Sequence, residues 1–148
     1  MDTEKSIIIG SDHAAYDLKE NIKAYLLQTG HSVEDVGTRG NKSVHYPEYG
    51  GKVAGRVSDG EFKKGILMCG TGLGMSMVAN RSPGVRAALC NGLFSAAMSR
   101  RHNDANILVM GGRVIGIDLA REIVRVFLET PFEGGRHQLR IDLFDRIP

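Results

Sequence analysis

A cysteine stands at the head of alternating glycines in Cys69-Gly70-Thr71-Gly72-Leu73-Gly74, within a chain of 148 residues. Glycines at 70, 72 and 74 let backbone N–H groups approach a ligand closely and point at it, and a helix start behind them favours negative charge. The spacing predicts an anion or a developing oxyanion beside the loop. The same field favours a thiolate at Cys69, which makes that residue a candidate base or nucleophile. A free cysteine ending a buried strand is also a common small hydrophobe of protein cores. It is the glycine density around Cys69 that points to chemistry.

Three familiar glycine-loop chemistries do not fit the residues. A dinucleotide fingerprint needs G-x-G-x-x-G and an acidic residue about 20 positions on. Here the spacing is G-x-G-x-G, and no Asp or Glu occurs from Gly65 to Asn103. A P-loop needs Gly-Lys-Ser/Thr, and no lysine follows the loop. A cysteine phosphatase would close its loop with an arginine, where Met75 and Ser76 stand.

Other polar residues suit a phosphorylated ligand. Asp12-His13 falls between a strand and a helix, where Asp12 could simply cap the helix and His13 could donate to a phosphate oxygen. His102-Asn103 closes a helix within Arg100-Arg101-His102-Asn103-Asp104. Favourable charge at a helix C-terminus accounts for the two arginines, whereas His102 is a candidate acid–base group. Arg136 and Arg140 share one face of the last helix, with His137 in its first turns. Cations are unfavourable there. Glu133 could offset them in part, and a bound phosphate would do so better, because arginine matches its geometry.

The elements that must carry these residues alternate. Strands are expected at Ser6–Gly10, His31–Val36, Gly65–Cys69, Val85–Cys90 and Asn106–Gly111. Helices are expected from Leu18 to about Gly30, Tyr46 to Ser58, after the glycine loop to Asn80, Leu93 to Arg101, Ile117 to Leu128, and Arg136 to Asp145. Five strand–helix alternations predict an open parallel α/β sheet, with ligands outside the carboxyl ends of the strands. That singles out Asp12-His13, the loop from Cys69 to Gly74, Cys90-Asn91 and Gly111-Gly112-Arg113. In the last helix Leu139, Leu143 and Ile147 form an apolar stripe suited to docking across a dimer.

Composition bounds the rest. The length suggests a single domain spanning 1–148, and 42% hydrophobic with 24% charged residues is ordinary for a globular chain. A net charge of +2 gives no general argument for nucleic acid or a membrane surface. Cys69 and Cys90 read as free thiols in a reducing compartment, so a cytoplasmic location is expected. Met1-Asp2-Thr3-Glu4-Lys5 does not read as a signal peptide.

Jointly, Gly10-Ser11-Asp12-His13, Tyr46-Pro47, the loop from Cys69 to Gly74, Ala79-Asn80, Arg101-His102-Asn103-Asp104, Gly112-Arg113 and Glu133-Gly134-Gly135-Arg136-His137 carry a resemblance. Over almost its whole length the chain resembles the ribose-5-phosphate isomerase type B family, which also holds galactose-6-phosphate isomerase subunits. The resemblance implies a three-layer α/β/α, Rossmann-like fold with a five-stranded parallel sheet. It implies a homodimer with shared active sites, in some members paired into a tetramer, and no metal or other cofactor. The implied activity interconverts D-ribose 5-phosphate and D-ribulose 5-phosphate through an enediolate, in the pentose phosphate pathway.

Carried over, Cys69 is the base between C2 and C1, and Thr71 with the amides of Gly70, Gly72, Leu73 and Gly74 holds the enediolate. His102 assists ring opening, while Asp12, Tyr46 and Asn103 position sugar hydroxyls. His13, Arg113, Arg136 and Arg140 hold the phosphate. His102, Asn103 and Arg113 are expected from the partner subunit. One branch of the family uses a glutamate in the loop as base. With Met75 and no nearby glutamate, this chain sides with the cysteine branch. It departs from the family at His45, where relatives often carry aspartate. Alternatives are the same reaction on allose 6-phosphate, galactose 6-phosphate or a tetrose 4-phosphate, a cysteine phosphocarrier, and a non-catalytic sugar-phosphate sensor.

Overall fold

The computed structural model describes residues 3–148. Met1 and Asp2, the start of the stretch read against a signal peptide, lie outside the described residues. Five strands, β1 (Ser6–Ser11), β2 (Ser32–Asp35), β3 (Lys64–Cys69), β4 (Ala87–Leu89) and β5 (Ile107–Gly111), form one sheet in the order β2-β1-β3-β5-β4. Every pairing is parallel. The helices are α1 (Tyr16–Gln28), α2 (Tyr46–Ser58), α3 (Leu73–Ala79), α4 (Leu93–Arg101), α5 (Ile117–Glu129) and α6 (Arg136–Phe144).

Period-two alternation along buried strands sorts the core into two layers. Ile7, Ile9, Ile66, Met68, Leu108 and Met110 pack under Leu18, Ile22 and Leu26 of α1, Ala96 of α4, and Ile123, Val124 and Phe127 of α5. Their neighbours Ile8, Leu67, Cys69, Ile107 and Val109 face the other way, onto Val53, Ala54 and Val57 of α2 and Met75 and Ala79 of α3. This is the expected three-layer α/β/α arrangement. Pro47 in the first turn of α2 fits its fixed φ and missing N–H.

The edge strand β4 is shorter than the Val85–Cys90 run suggests. Asparagine side chains take over part of its pairing: Asn80 bonds both the N–H and the C=O of Ala87, and Asn106 Oδ1 accepts from Arg86 N–H. Lys19 is fully buried, and its ammonium sits 2.6 Å from Asp35 Oδ2. Asp35 also accepts from Gly37 N–H and Lys23. Burial would raise the Asp35 pKa, but these donors outweigh it and hold the carboxyl below the usual carboxylate value. The cluster ties α1 to β2 and to the start of the loop that leads to His45.

Among the described residues no helix is long and apolar enough to cross a membrane.

Candidate active site

The connections leave β1 and β3, adjacent in the sheet, toward opposite sides, so their carboxyl ends open a crevice. Asp12 and His13 follow β1; Cys69 ends β3. Asp12 is buried and caps the short 3-10 turn His13–Ala15, its Oδ1 accepting from Ala14 N–H at 3.0 Å. The capping role is therefore realised, and it pins the carboxyl at the crevice. Backbone N–H of Val44 donates to His13 Nδ1 at 3.1 Å. An accepting Nδ1 leaves the proton of the neutral ring on Nε2, free to donate to a ligand.

Cys69 is 5% exposed, and its Sγ accepts from Gly72 N–H at 3.2 Å. The thiol thus packs in the core and meets one loop amide as well, so the two readings of Cys69 are compatible. Gly72 has φ +83°, the left-handed region that glycine adopts without strain. Thr71 stands exposed, its Oγ1 accepting from Leu73 N–H at 3.3 Å. The Tyr46 ring covers Gly74 so closely that a Cβ there would lie 2.5 Å from the ring. Met75 points away, fully buried in the core beside Gly50.

Two glycines missed as site residues shape this loop. A Cβ on Gly111 would fall 2.7 Å from the Thr71 carbonyl, and one on Gly112 would fall 3.1 Å from Ala15. Sequence spacing marked Gly111-Gly112 only as following a strand. Gly112 N–H donates to Cys69 O and Arg113 N–H to Gly70 O, at 2.8 and 2.9 Å. Arg113 does not need a partner subunit to reach the loop, which corrects the expectation above. Its guanidinium lies 3.3 Å from where a Gly70 Cβ would be, on its own chain.

His102, Asn103, Arg136 and Arg140 are somewhere else. Helix α4 starts at the carboxyl end of β4 and ends before β5, so His102 and Asn103 lie at the opposite end of the sheet from Cys69. The chain after α5 returns to that end, where Glu133 N–H donates to Arg101 O. Arg100 holds the turn: it is buried and donates to Ala105 O, Thr130 O and Asp104. His102 and His137 stack with centroids 4.2 Å apart and planes 13° from parallel. Glu133 faces these rings rather than offsetting Arg136. Burial, His102 and Arg136 push the His137 pKa below its ordinary value. Among the described residues, Arg113, Arg136 and Arg140 have no carboxylate partner and remain available to an anion.

One chain therefore gathers the candidate residues into two separate groups, each a candidate half-site. The first has Asp12, His13, Tyr46, the loop from Cys69 to Gly74, and Arg113. The second has His102, Asn103, Arg136 and Arg140.

The family model described as Ribose/Galactose Isomerase matches residues 7–144. Ribose-5-phosphate isomerase B of Escherichia coli K12 is 45% identical over 143 residues, covering 97% of this chain and 96% of its own. D-erythrulose-4-phosphate isomerase of Pectobacterium atrosepticum is 45% identical over 132 residues, covering 88% and 86%. The solved structure of ribose-5-phosphate isomerase B from Clostridium thermocellum is 52% identical and superposes with a TM-score of 0.95 over 96% of each chain. With this fold, this loop and these matches over nearly its full length, the chain belongs to the Ribose/Galactose Isomerase family.

Proposed function

We propose that the chain is an aldose–ketose isomerase of D-ribose 5-phosphate and D-ribulose 5-phosphate, working as a homodimer whose active sites each combine the two half-sites from different subunits. The observation that carries this reading is the Cys69 thiol bonded to the Gly72 amide of the loop, at one crevice with Asp12, His13 and Arg113. Likeness to ribose-5-phosphate isomerase B supports the substrate.

The chemistry follows from charge. His102 of one subunit donates a proton to the ring oxygen while the O1 hydroxyl gives up its proton to solvent water, so the bond from C1 to the ring oxygen breaks and the furanose opens. In the open aldose, the Cys69 thiolate of the other subunit removes the C2 proton. The electron pair shifts into an enediolate whose oxyanion is held by the loop amides and Thr71. Cys69 returns its proton to C1 while the O2 proton passes to O1, which leaves the ketose. Asp12, Tyr46 and Asn103 hold hydroxyls. His13, Arg113, Arg136 and Arg140 hold the phosphate, and remote binding of this kind orients the reacting carbons. This proton transfer needs no cofactor. Stripes of exposed Leu139, Leu143 and Ile147 on and beyond α6 supply apolar surface for the dimer. Two buried free thiols suit a cytoplasmic enzyme.

A mixture of two inactive variants tests the shared site. Cys69→Ala and His102→Ala each disable every homodimer. Random exchange makes half the dimers mixed, each with one intact site, so about a quarter of wild-type turnover of ribose 5-phosphate returns. A mixture that stays inactive after subunit exchange rejects the shared site. A second reading, action on D-erythrulose 4-phosphate, is favoured by an equal identity to the Pectobacterium enzyme. Comparison of kcat/KM on the two sugars decides between them.

A further inference from the structure

Three ligand-capable side chains converge where α4 ends and α6 begins. His102, Glu133 and His137 each offer one atom, and the three atoms lie within 4.8 Å of one another. Glu133 Oε1 is 3.6 Å from His137 Nε2 and 3.9 Å from His102 Nε2. These separations are too long for hydrogen bonds, and the stacked His102 and His137 rings hold their nitrogens side by side, 13° from parallel. Tetrahedral zinc, with bonds of about 2.0–2.1 Å, sets its ligand atoms roughly 3.3–3.4 Å apart. Ligation requires the half-exposed His102 ring to turn out of its stack on His137 and Glu133 to follow, which their exposure permits.

The scaffold is held in place before any ion arrives. Glu133 N–H is bonded to Arg101 O and His137 N–H to Gly134 O, and the Arg100 guanidinium fixes the turn beneath. Two imidazoles and one carboxylate are a common zinc donor set that leaves a fourth position open. Arg136 and Arg140 oppose a dication, so binding is expected to be weaker than in a dedicated structural zinc site.

We infer that His102, Glu133 and His137 form a site for a divalent transition metal of the zinc type. Resting on the reading above, metal bound there withdraws His102 from ring opening and inhibits turnover.

Calorimetric titration of the metal-free protein with Zn2+, and the visible absorption of tetrahedral Co2+, test the site directly. Wild type should bind a single ion per chain. Glu133→Gln and His137→Ala should each weaken binding at least about tenfold, and Cys69→Ala should retain it. Wild type that binds no ion, affinity unchanged in both variants, or affinity lost in Cys69→Ala would overturn the inference. If His137→Ala fails to fold, the half-exposed Glu133→Gln carries the same test. Turnover reads the reaction separately, each protein being compared with its own metal-free rate. Zinc should inhibit wild type and spare Glu133→Gln. Zinc bound at the triad with full turnover would keep the site and remove His102 from the proposed reaction.

Discussion

The segment 69–74 and the segment 133–140 are both assigned to one reaction, yet the first is packed into the sheet and the second stands on its rim. Around Cys69, neighbouring backbone leaves no room: β5 meets Thr71 through Gly111, and Arg113 lies against Gly70. Around Arg136 and Arg140 the side chains are exposed, and Leu139 and Leu143 beside them are 67% and 63% exposed. Proton transfer demands atoms held within fractions of an ångström, which a strand end packed on both faces supplies. Holding a phosphate demands flexible cations that reach an anion, which an outlying helix can present. The contrast teaches that rigidity and reach are placed in different parts of this fold.

Substitutions on each side sharpen that contrast. The largest effect is expected at the rigid side, where Cys69→Ala should lower kcat about 10²–10⁴-fold with KM nearly unchanged. A Cys69→Ala enzyme with wild-type kcat would break the assignment of the base. On the rim, Arg136→Ala or Arg140→Ala should act through binding, raising KM about tenfold to a hundredfold, as for loss of a charge-assisted hydrogen bond. Steady-state kinetics on ribose 5-phosphate separates the two patterns. A kcat loss without a KM rise at Arg136 would erase the distinction between the halves.

Gly111→Ala tests the rigid side without touching a reacting group. Its Cβ would collide with Thr71 backbone rather than with a yielding side chain. Destabilisation of about 1–3 kcal/mol in urea unfolding is expected, together with a fall in kcat. Unchanged stability and kcat would show the loop to be compliant.

The smallest effect concerns His137 and pH. Its native pKa lies below its ordinary value, chiefly through burial and then through His102 and Arg136. The unfolded chain, with a histidine pKa of about 6.5, takes up the proton first. The contribution to stability is therefore present above about pH 6.5 and lost as pH falls through the native value. Thermal melts across this range should show wild type losing stability relative to His137→Phe, which keeps an aromatic ring. Parallel curves for the two proteins would contradict it.

Much of the fold was legible in residue order. Apolar β-branched runs such as Ile7-Ile8-Ile9 mark strands, and glycine or proline punctuation marks where helices begin and end. Boundaries blurred where side chains substitute for backbone pairing, as at β4, because Asn80 and Asn106 act from outside the strand. The geometry of the glycine loop, with Gly72 N–H on the Cys69 sulfur, was readable because it is local. Gly111 and Gly112 were not, because what each would collide with, Thr71 and Ala15, is distant in sequence.

By itself the sequence determined the alternation of elements, the loop amides beside Cys69 and the stock of arginines for an anion, since each follows from neighbours along the chain. Only the tertiary structure decided how these residues divide. Parallel strands linked by helices send a strand's end and the next helix's end to opposite poles of the sheet. That polarity seats Arg113 with Cys69, moves Arg136 and Arg140 to the side of His102, and brings His137 and Glu133 to that ring.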